Sequence, residues 1–409
     1  MTSAIVGAAR SLSIAGEAAP SITMLASTRL LLALLATCTA MFASTATKAA
    51  PSAAQNPAGF AIQRGTNLSH WLSQDFGWTP RAVFITENDL RYIARCGFDH
   101  VRLPIDEKEL WREDGGANED AFRVLTTAIE WARVHGLRVI VDLHTVRSHH
   151  FNAENEGMAP NTLWTDPREQ ERFLSLWAEL SRRLRHFPVD TVAYEIMNEP
   201  VAKDHEEWNR LINAAHARIR ATEPDRVLVF GSNQWQMPHT LPALKVPAGD
   251  KNIILSTHTY APMTLTHYRA SWTPLKVYTG AVRYPGPVID KAALDKLLAG
   301  APQPLADIAA NAADDWGPAR IRKELEPAIK RARELGLQLY CGEFGCMPTV
   351  PRAARLAYYR DIVGVFESEG MAWANWEYKG DFGIFEWHAE QTLTGAPDVE
   401  MLDALLGKR

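Results

Sequence analysis

"AFRVLTTAIEWARVHGLRVIVDLH", residues 121 to 144, writes a helix and a strand end to end. Phe122, Leu125, Ile129 and Ala132 recur at three- and four-residue steps, the spacing that lines one face of a helix. Gly136 then stands where a helix stops, and "LRVIVDLH" follows as a short β-prone run. The unit returns downstream, where Ile321, Leu325, Ile329 and Ala332 precede "LGL" and the run "LQLYCGEF". Gly97, Gly336 and Gly370 occupy the same stop position before other β-prone runs.

Working outward from that unit, eight strands are expected: 61 to 68, 98 to 105, 137 to 144, 191 to 198, 226 to 232, 252 to 258, 337 to 344 and 370 to 376. Strand then helix, eight times without an internal repeat or low-complexity break after residue 58, predicts an α/β chain folded as a (β/α)8 TIM barrel. An open doubly wound sheet is the competing architecture, but its first turn calls for a glycine-rich phosphate loop, and "RGTNLSHW" has none. Long segments after strand three (145 to 167) and strand six (259 to 319) are expected to be enlarged βα loops on the face where barrels build their sites.

Composition narrows the function. A net charge of only -5 over 409 residues, with both signs interspersed, offers no field for nucleic acid or an anionic membrane, so a neutral substrate is expected. Thirteen Trp and ten Tyr suit stacking on the apolar faces of sugars as well as core packing. Residues 29 to 43, "RLLLALLATCTAMFA", place an Arg before an apolar run too short to span a membrane comfortably; this is expected to be a secretory signal with cleavage near Ser44 to Ala46. Met24 stands at the natural start of such a segment, and a lipid anchor at Cys38 is a weaker reading. The organisation expected is a signal peptide and disordered leader at 1 to 50 and one catalytic domain at 51 to 409, exported to the periplasm or medium and acting as a monomer. Cys96, Cys341 and Cys346 remain after processing; an odd number does not describe a disulfide framework, and buried apolar thiols are favoured over a Cys341 to Cys346 pair.

Polar residues at the strand ends carry the chemistry: Arg102, His144, Asn198 with Glu199, His258 with Tyr260, Glu343 and Trp376. A barrel would gather them at one mouth, and core packing calls for none of them. Two carboxylates on nearly opposite strands, Glu199 after the fourth and Glu343 on the seventh, are the ingredients of glycoside hydrolysis. Glu343 then has to remain ionised with help from Arg102, while Glu199 needs a pKa raised from about 4.3 towards about 6 or 7 by burial and a negative neighbour. The His149-His150 pair, with Glu154 and Glu156 nearby, is a poor metal site because neighbouring side chains in an extended segment point apart, and neither metal nor cofactor is expected.

In their order along the chain, "VRLPI", "DLH", "MNEP", "HTY", "GEFG" and "WANWEYKG" resemble glycoside hydrolase family five, the cellulase family of retaining barrel enzymes, over about residues 60 to 385. The resemblance implies Glu199 as acid/base and Glu343 as nucleophile. It implies Asn198 as the amide that bonds the sugar 2-hydroxyl, Arg102 and Tyr260 as groups orienting the nucleophile, and His144, His258 and Trp376 as substrate contacts. A β-linked oligo- or polysaccharide is the partner implied; "GSNQW" and "THYRASW" are more like endoglucanase relatives than mannanases. The chain departs from the family at Ser69-His70, where many relatives carry Gly after "NL", and this is expected to narrow or re-aim the outer cleft. Trp71, Trp164, Trp235, Trp272 and Trp316 are candidate stacking platforms along it.

Overall fold

The strand β1 (Arg64–Asn67) pairs in parallel with β2 (His100–Asp106) on one side and with β8 (Ala372–Asn375) on the other. Between them run β3 (Arg138–Thr145), β4 (Val192–Glu195), β5 (Leu228–Gly231), β6 (Ile253–His258) and β7 (Gln338–Glu343). All eight are hydrogen-bonded in chain order into a closed barrel. Closure excludes the open doubly wound sheet. The computed structural model describes residues 56–75, 77, 80–152, 161–385 and 395–407, and residues 50 to 409 group as one unit. The signal segment, its cleavage site and Cys38 lie outside the described residues.

Each expected strand forms, though the ladders are shorter than the β-prone runs. In β4 regular pairing ends at Glu195; Asn198 then donates its N–H to the Leu143 carbonyl, so the chain keeps to β3 while leaving β5. Helices Glu87–Cys96, Glu119–Val134, Pro167–Leu184, His205–Arg220, Pro318–Leu335, Arg352–Glu369 and Val399–Leu406 follow their strands. Phe122, Leu125, Ile129 and Ala132 are buried, as are Ile321, Leu325, Ile329 and Ala332. Gly336 and Gly370 end their helices in the left-handed conformation, at φ 60° and 68°. The strand–helix alternation fails once. After β5 stands only a 3₁₀ turn, Pro238–Ala243, because Pro242 inside it has no N–H to extend a helix.

Alternation along the strands sends every second side chain into the barrel. Ile140, Ala193, Val229, Ile254, Tyr340, Ala372 and Ala374 form one buried cluster with Phe60 and Ile62, separate from the larger apolar layer between strands and helices. The β2/β3 and β6/β7 ladders each slip in register at their last pair, Asp106 opposite Thr145 and His258 opposite Glu343. Such slips change the facing of the residues that follow, here at the rim where the site is built. The loop after β6 is the larger of the two enlarged ones and holds short helices at Met263–Thr266, Lys291–Leu298 and Gln303–Ala309. All three described cysteines are free thiols, Cys341 and Cys346 fully buried.

Close packing at the barrel seam is testable. Gly65 sits opposite His100 in the β1/β2 register, and a Cβ there would collide with the fully buried His100 ring, which is itself held by Asp99 at 2.7 Å. Gly65→Ala is therefore expected to lower unfolding free energy by about 1–3 kcal/mol in a denaturant titration.

Candidate active site

Arg102, on β2, is wholly buried and is the hub of the barrel mouth. Its guanidinium donates to Glu195 Oε2 at 2.7 Å, Glu343 Oε1 at 2.7 Å, Asn198 Oδ1 at 2.9 Å and Asn67 Oδ1 at 3.0 Å, and it lies 3.0 Å from Asp142 Oδ2. The Tyr260 hydroxyl donates to the other oxygen of Glu343 at 3.0 Å. Both oxygens of Glu343 thus face donors. Burial keeps Tyr260 protonated, its pKa well above the ordinary phenol value, so its O–H remains available to donate to Glu343.

Glu199 sits across the mouth at φ 43°, its carboxyl oxygen 2.9 Å from His258 Nδ1. One oxygen of Glu199, one of Glu343 and a nitrogen of His258 all lie within 4.8 Å of one another, the only such His/Cys/carboxylate grouping of three among the described residues. Burial raises the pKa of both glutamates. For Glu199 the negative charge of Glu343 adds to burial and holds it well above the ordinary range, whereas for Glu343 the Arg102 guanidinium and the Tyr260 hydroxyl oppose burial. A proton shared by the pair therefore rests on Glu199. Burial also keeps both nearby histidines neutral: His144 falls to about 3, and His258 lies well below its ordinary value.

His144 Nδ1 is 2.7 Å from Asp142, which fixes the ring and leaves Nε2 for the cleft. The ring stacks on Trp376 at 5.6 Å and 10°. Asn198 accepts from Arg102 through Oδ1, so its Nδ2 is the end free to donate, and neither Asn198 Nδ2 nor His144 Nε2 has a protein partner. A buried polar atom without a partner is costly, and the two are complementary: Asn198 Nδ2 needs an acceptor, while neutral His144, its proton on the Nδ1 that faces Asp142, offers Nε2 as an acceptor. A sugar hydroxyl, which both donates and accepts, can serve either of them.

All eight site residues named from the sequence meet at this mouth. The candidate platforms divide: Trp71 and Trp316 are core side chains at 2% and 1% exposure, Trp164 packs edge-on against His149 and Trp208, and Trp235 donates to the Phe151 carbonyl. Trp272 is 42% exposed and adjoins His267 and Phe382 on the rim. His149 and His150 pack on different rings, Trp164 and Phe151, while Glu154 and Glu156 lie outside the described residues. Sequence reasoning missed the buried layer under the site, namely Asp142, Glu195, Asn67 and Gln236. A charged residue inside an apolar strand, as in "VIVDLH" and "AYEIMN", was the available signal for the first two.

Ser69-His70 has a definite structural outcome. His70 Nε2 lies 3.0 Å from Glu377, and its Nδ1 3.1 Å from the Gln74 carbonyl. Both ring nitrogens face oxygen atoms, an arrangement that favours the imidazolium. The Ser69 hydroxyl and the Phe382 N–H also donate to Glu377, leaving that carboxylate fully buried, and the His70 ring meets Trp376 edge-on at 6.3 Å. The pair ties the loop after β1 to the loop after β8.

A closed eight-stranded barrel carrying two glutamates this close, one bonded to a buried arginine and the other pushed further up by burial and by its partner's charge, defines an O-glycosyl hydrolase. The family model Cellulase (glycosyl hydrolase family 5) matches residues 53–381, and the chain belongs to that family. It is 30% identical to Endoglucanase C of Acetivibrio thermocellus over 331 residues, which cover 80% of this chain and 94% of that one. It is 29% identical to Cellodextrinase A of Ruminococcus flavefaciens, covering 76% and 84%. A structure of Thermotoga maritima Cel5A in complex with cellobiose has the same fold, with a TM-score of 0.66 at 24% identity over 85% of this chain and 99% of that one.

The His70–Glu377 pair generates a pH prediction. Burial alone would lower the His70 pKa, but the Glu377 charge and hydrogen bond outweigh it and carry it up to about 9 from the ordinary 6.5. The sign follows: its stabilisation is complete below about pH 6.5 and lost as pH rises through about 9, a change of roughly 3 kcal/mol. Wild-type melting temperature is expected to fall more steeply between pH 7 and 10 than that of His70→Gln; parallel curves would show that His70 is not charged in the fold.

Proposed function

We propose that the protein is an exported endo-β-glucanase that cleaves β-1,4-linked glucan by double displacement, with Glu343 as nucleophile and Glu199 as acid/base. The observation that carries this is the placement of both carboxylates within 4.8 Å, with unlike partners: Arg102 and Tyr260 on Glu343, neutral His258 on Glu199. Retaining enzymes hold their carboxyl groups about 5–5.5 Å apart, whereas inversion needs about 6.5 Å or more to seat a water. Ionised Glu343 attacks the anomeric carbon as Glu199 gives its proton to the departing oxygen; Glu199 then takes a proton from the water that hydrolyses the glycosyl ester.

Asn198 Nδ2 is the donor for the 2-hydroxyl, His144 Nε2 and Trp376 hold the sugar beside the cleaved bond, and exposed Trp272 extends the contact surface along the rim. The names of the two relatives, an endoglucanase and a cellodextrinase, support a β-1,4-glucan over other polymers. The apolar run at 29 to 43 supports export to the periplasm or medium.

Reducing-sugar release by the purified protein is expected on carboxymethylcellulose or lichenan, above laminarin, mannan and xylan, and to vanish in Glu343→Ala. Glu199→Ala is expected to lose about 10²–10⁴-fold on such substrates. Proton NMR of the first product should show the β-anomer; an initial α-anomer, or activity surviving Glu343→Ala, would overturn the mechanism. The N-terminus of the exported protein is expected within a few residues of Ala46, and an intact N-terminus in the cytoplasm would refute export.

A further inference from the structure

Glu343 is held by side chains that stand on barrel strands or directly beside them. Glu199 lies past the end of β4, on a loop, and what holds that loop is a turn from the neighbouring strand. Just after β5, Gln234, Trp235 and Gln236 all adopt positive φ, at 56°, 57° and 53°. Three consecutive non-glycine residues in the left-handed region are costly, and such a run persists only where surrounding contacts enforce it. The contacts are specific. Asn233 exchanges two hydrogen bonds with the Ala202 backbone, at 2.7 and 2.9 Å, and Trp235 N–H points at the Pro200 carbonyl at 3.4 Å.

The left-handed turn delivers the Gln236 side chain, fully buried, beneath the acid/base loop. Its Oε1 accepts the Glu199 backbone N–H at 2.8 Å, and its Nε2 donates to Glu195 Oε1 at 3.1 Å. Its backbone carbonyl accepts from the N–H of His258 at 2.9 Å and from the Thr257 hydroxyl at 2.7 Å. Room for the amide exists because residue 231 is glycine; any Cβ there would overlap the Gln236 side chain.

These bonds run in two directions from one residue. Toward the acid/base, Gln236 holds the Glu199 backbone directly and the backbone of His258, whose ring meets the Glu199 carboxyl. Toward the nucleophile, it holds Glu195, which grips Arg102, which in turn grips Glu343. We infer that Gln236 is a positioning residue for the hydrolysis, setting where the acid/base carboxyl stands relative to the nucleophile. It touches neither substrate nor reacting atoms. The inference rests on the roles proposed above for Glu199 and Glu343, and gives the left-handed turn its purpose: an extended or helical backbone at 234–236 would not present this amide inward.

A misplaced acid/base has a kinetic signature that a loosened fold lacks. Departure of 2,4-dinitrophenolate needs no proton, whereas departure of phenolate does, so loss of proton donation shows as a selective fall on the poor leaving group. The test is kcat/KM for Gln236→Met on 2,4-dinitrophenyl and phenyl β-glycosides of a glycone the wild type cleaves, with Glu199→Ala alongside. For Gln236→Met the phenyl value is expected to fall at least about tenfold further than the dinitrophenyl value, in the direction of Glu199→Ala and short of its about 10²–10⁴-fold loss. Gln236→Asn keeps the amide chemistry but withdraws it by one methylene, so it is expected to show the same split and serves if Gln236→Met does not fold. An equal fall on both leaving groups, or no fall, would overturn the positioning role. A Glu199→Ala variant without the split would instead overturn the acid/base assignment itself.

Discussion

One buried guanidinium organises the mouth of this barrel. Arg102 meets three carboxylates, Asp142, Glu195 and Glu343, with no solvent exposure on its own side chain. Taking these charges out of water is expensive, and the arrangement persists because all three guanidinium nitrogens have acceptors. Burial carries the pKa of Asp142 up to about 7 and raises that of Glu195 as well, with Arg102 opposing both. On Glu343 the Arg102 guanidinium and the Tyr260 hydroxyl oppose the upward push of burial. Asymmetry between the two glutamates therefore begins with which of them Arg102 reaches.

The two halves of the site are supported differently. Glu343 ends a strand, and its partners arrive from β2 and from the segment just after β6, elements fixed by the barrel ladders. Glu199 stands past the end of β4, and its neighbours are the 233–236 turn and His258. Register slips at the ends of β2/β3 and β6/β7 fall beside these contacts, so the rim departs from regular pairing where functional side chains must turn inward. A rigid ring carrying adaptable loops is the division of labour expected of this architecture.

Much of this was legible before any coordinates. The 3.6-residue period of Phe122 to Ala132 and the β-prone runs located every strand, because burial of one face writes a period into sequence. The eight site residues were legible because they are chemically out of place, polar groups where an apolar strand ends. The missing helix after β5 was not foreseen, although Pro238 and Pro242 stood in view, since the alternation elsewhere was so regular. Trp71 and Trp316 look no different in sequence from exposed Trp272; which indoles reach the cleft depends on how loops fold over them.

What the sequence by itself determined is the ring of strands, the face on which the site lies and which polar residues gather there, since local periodicity and residue chemistry are properties of the chain alone. What only the tertiary structure decided is the electrostatic and geometric state of those groups. Gln236 is an ordinary glutamine until a left-handed turn places it under Glu199, and Ser69-His70 stands out in sequence only as a departure near the cleft until Glu377, some 300 positions away, pairs with it to tie two loops together. Distances of 2.7 to 3.1 Å between residues far apart in the chain are set by the closing of the barrel, and the hydrogen bonds and pKa shifts that separate one glutamate from the other exist only across those distances.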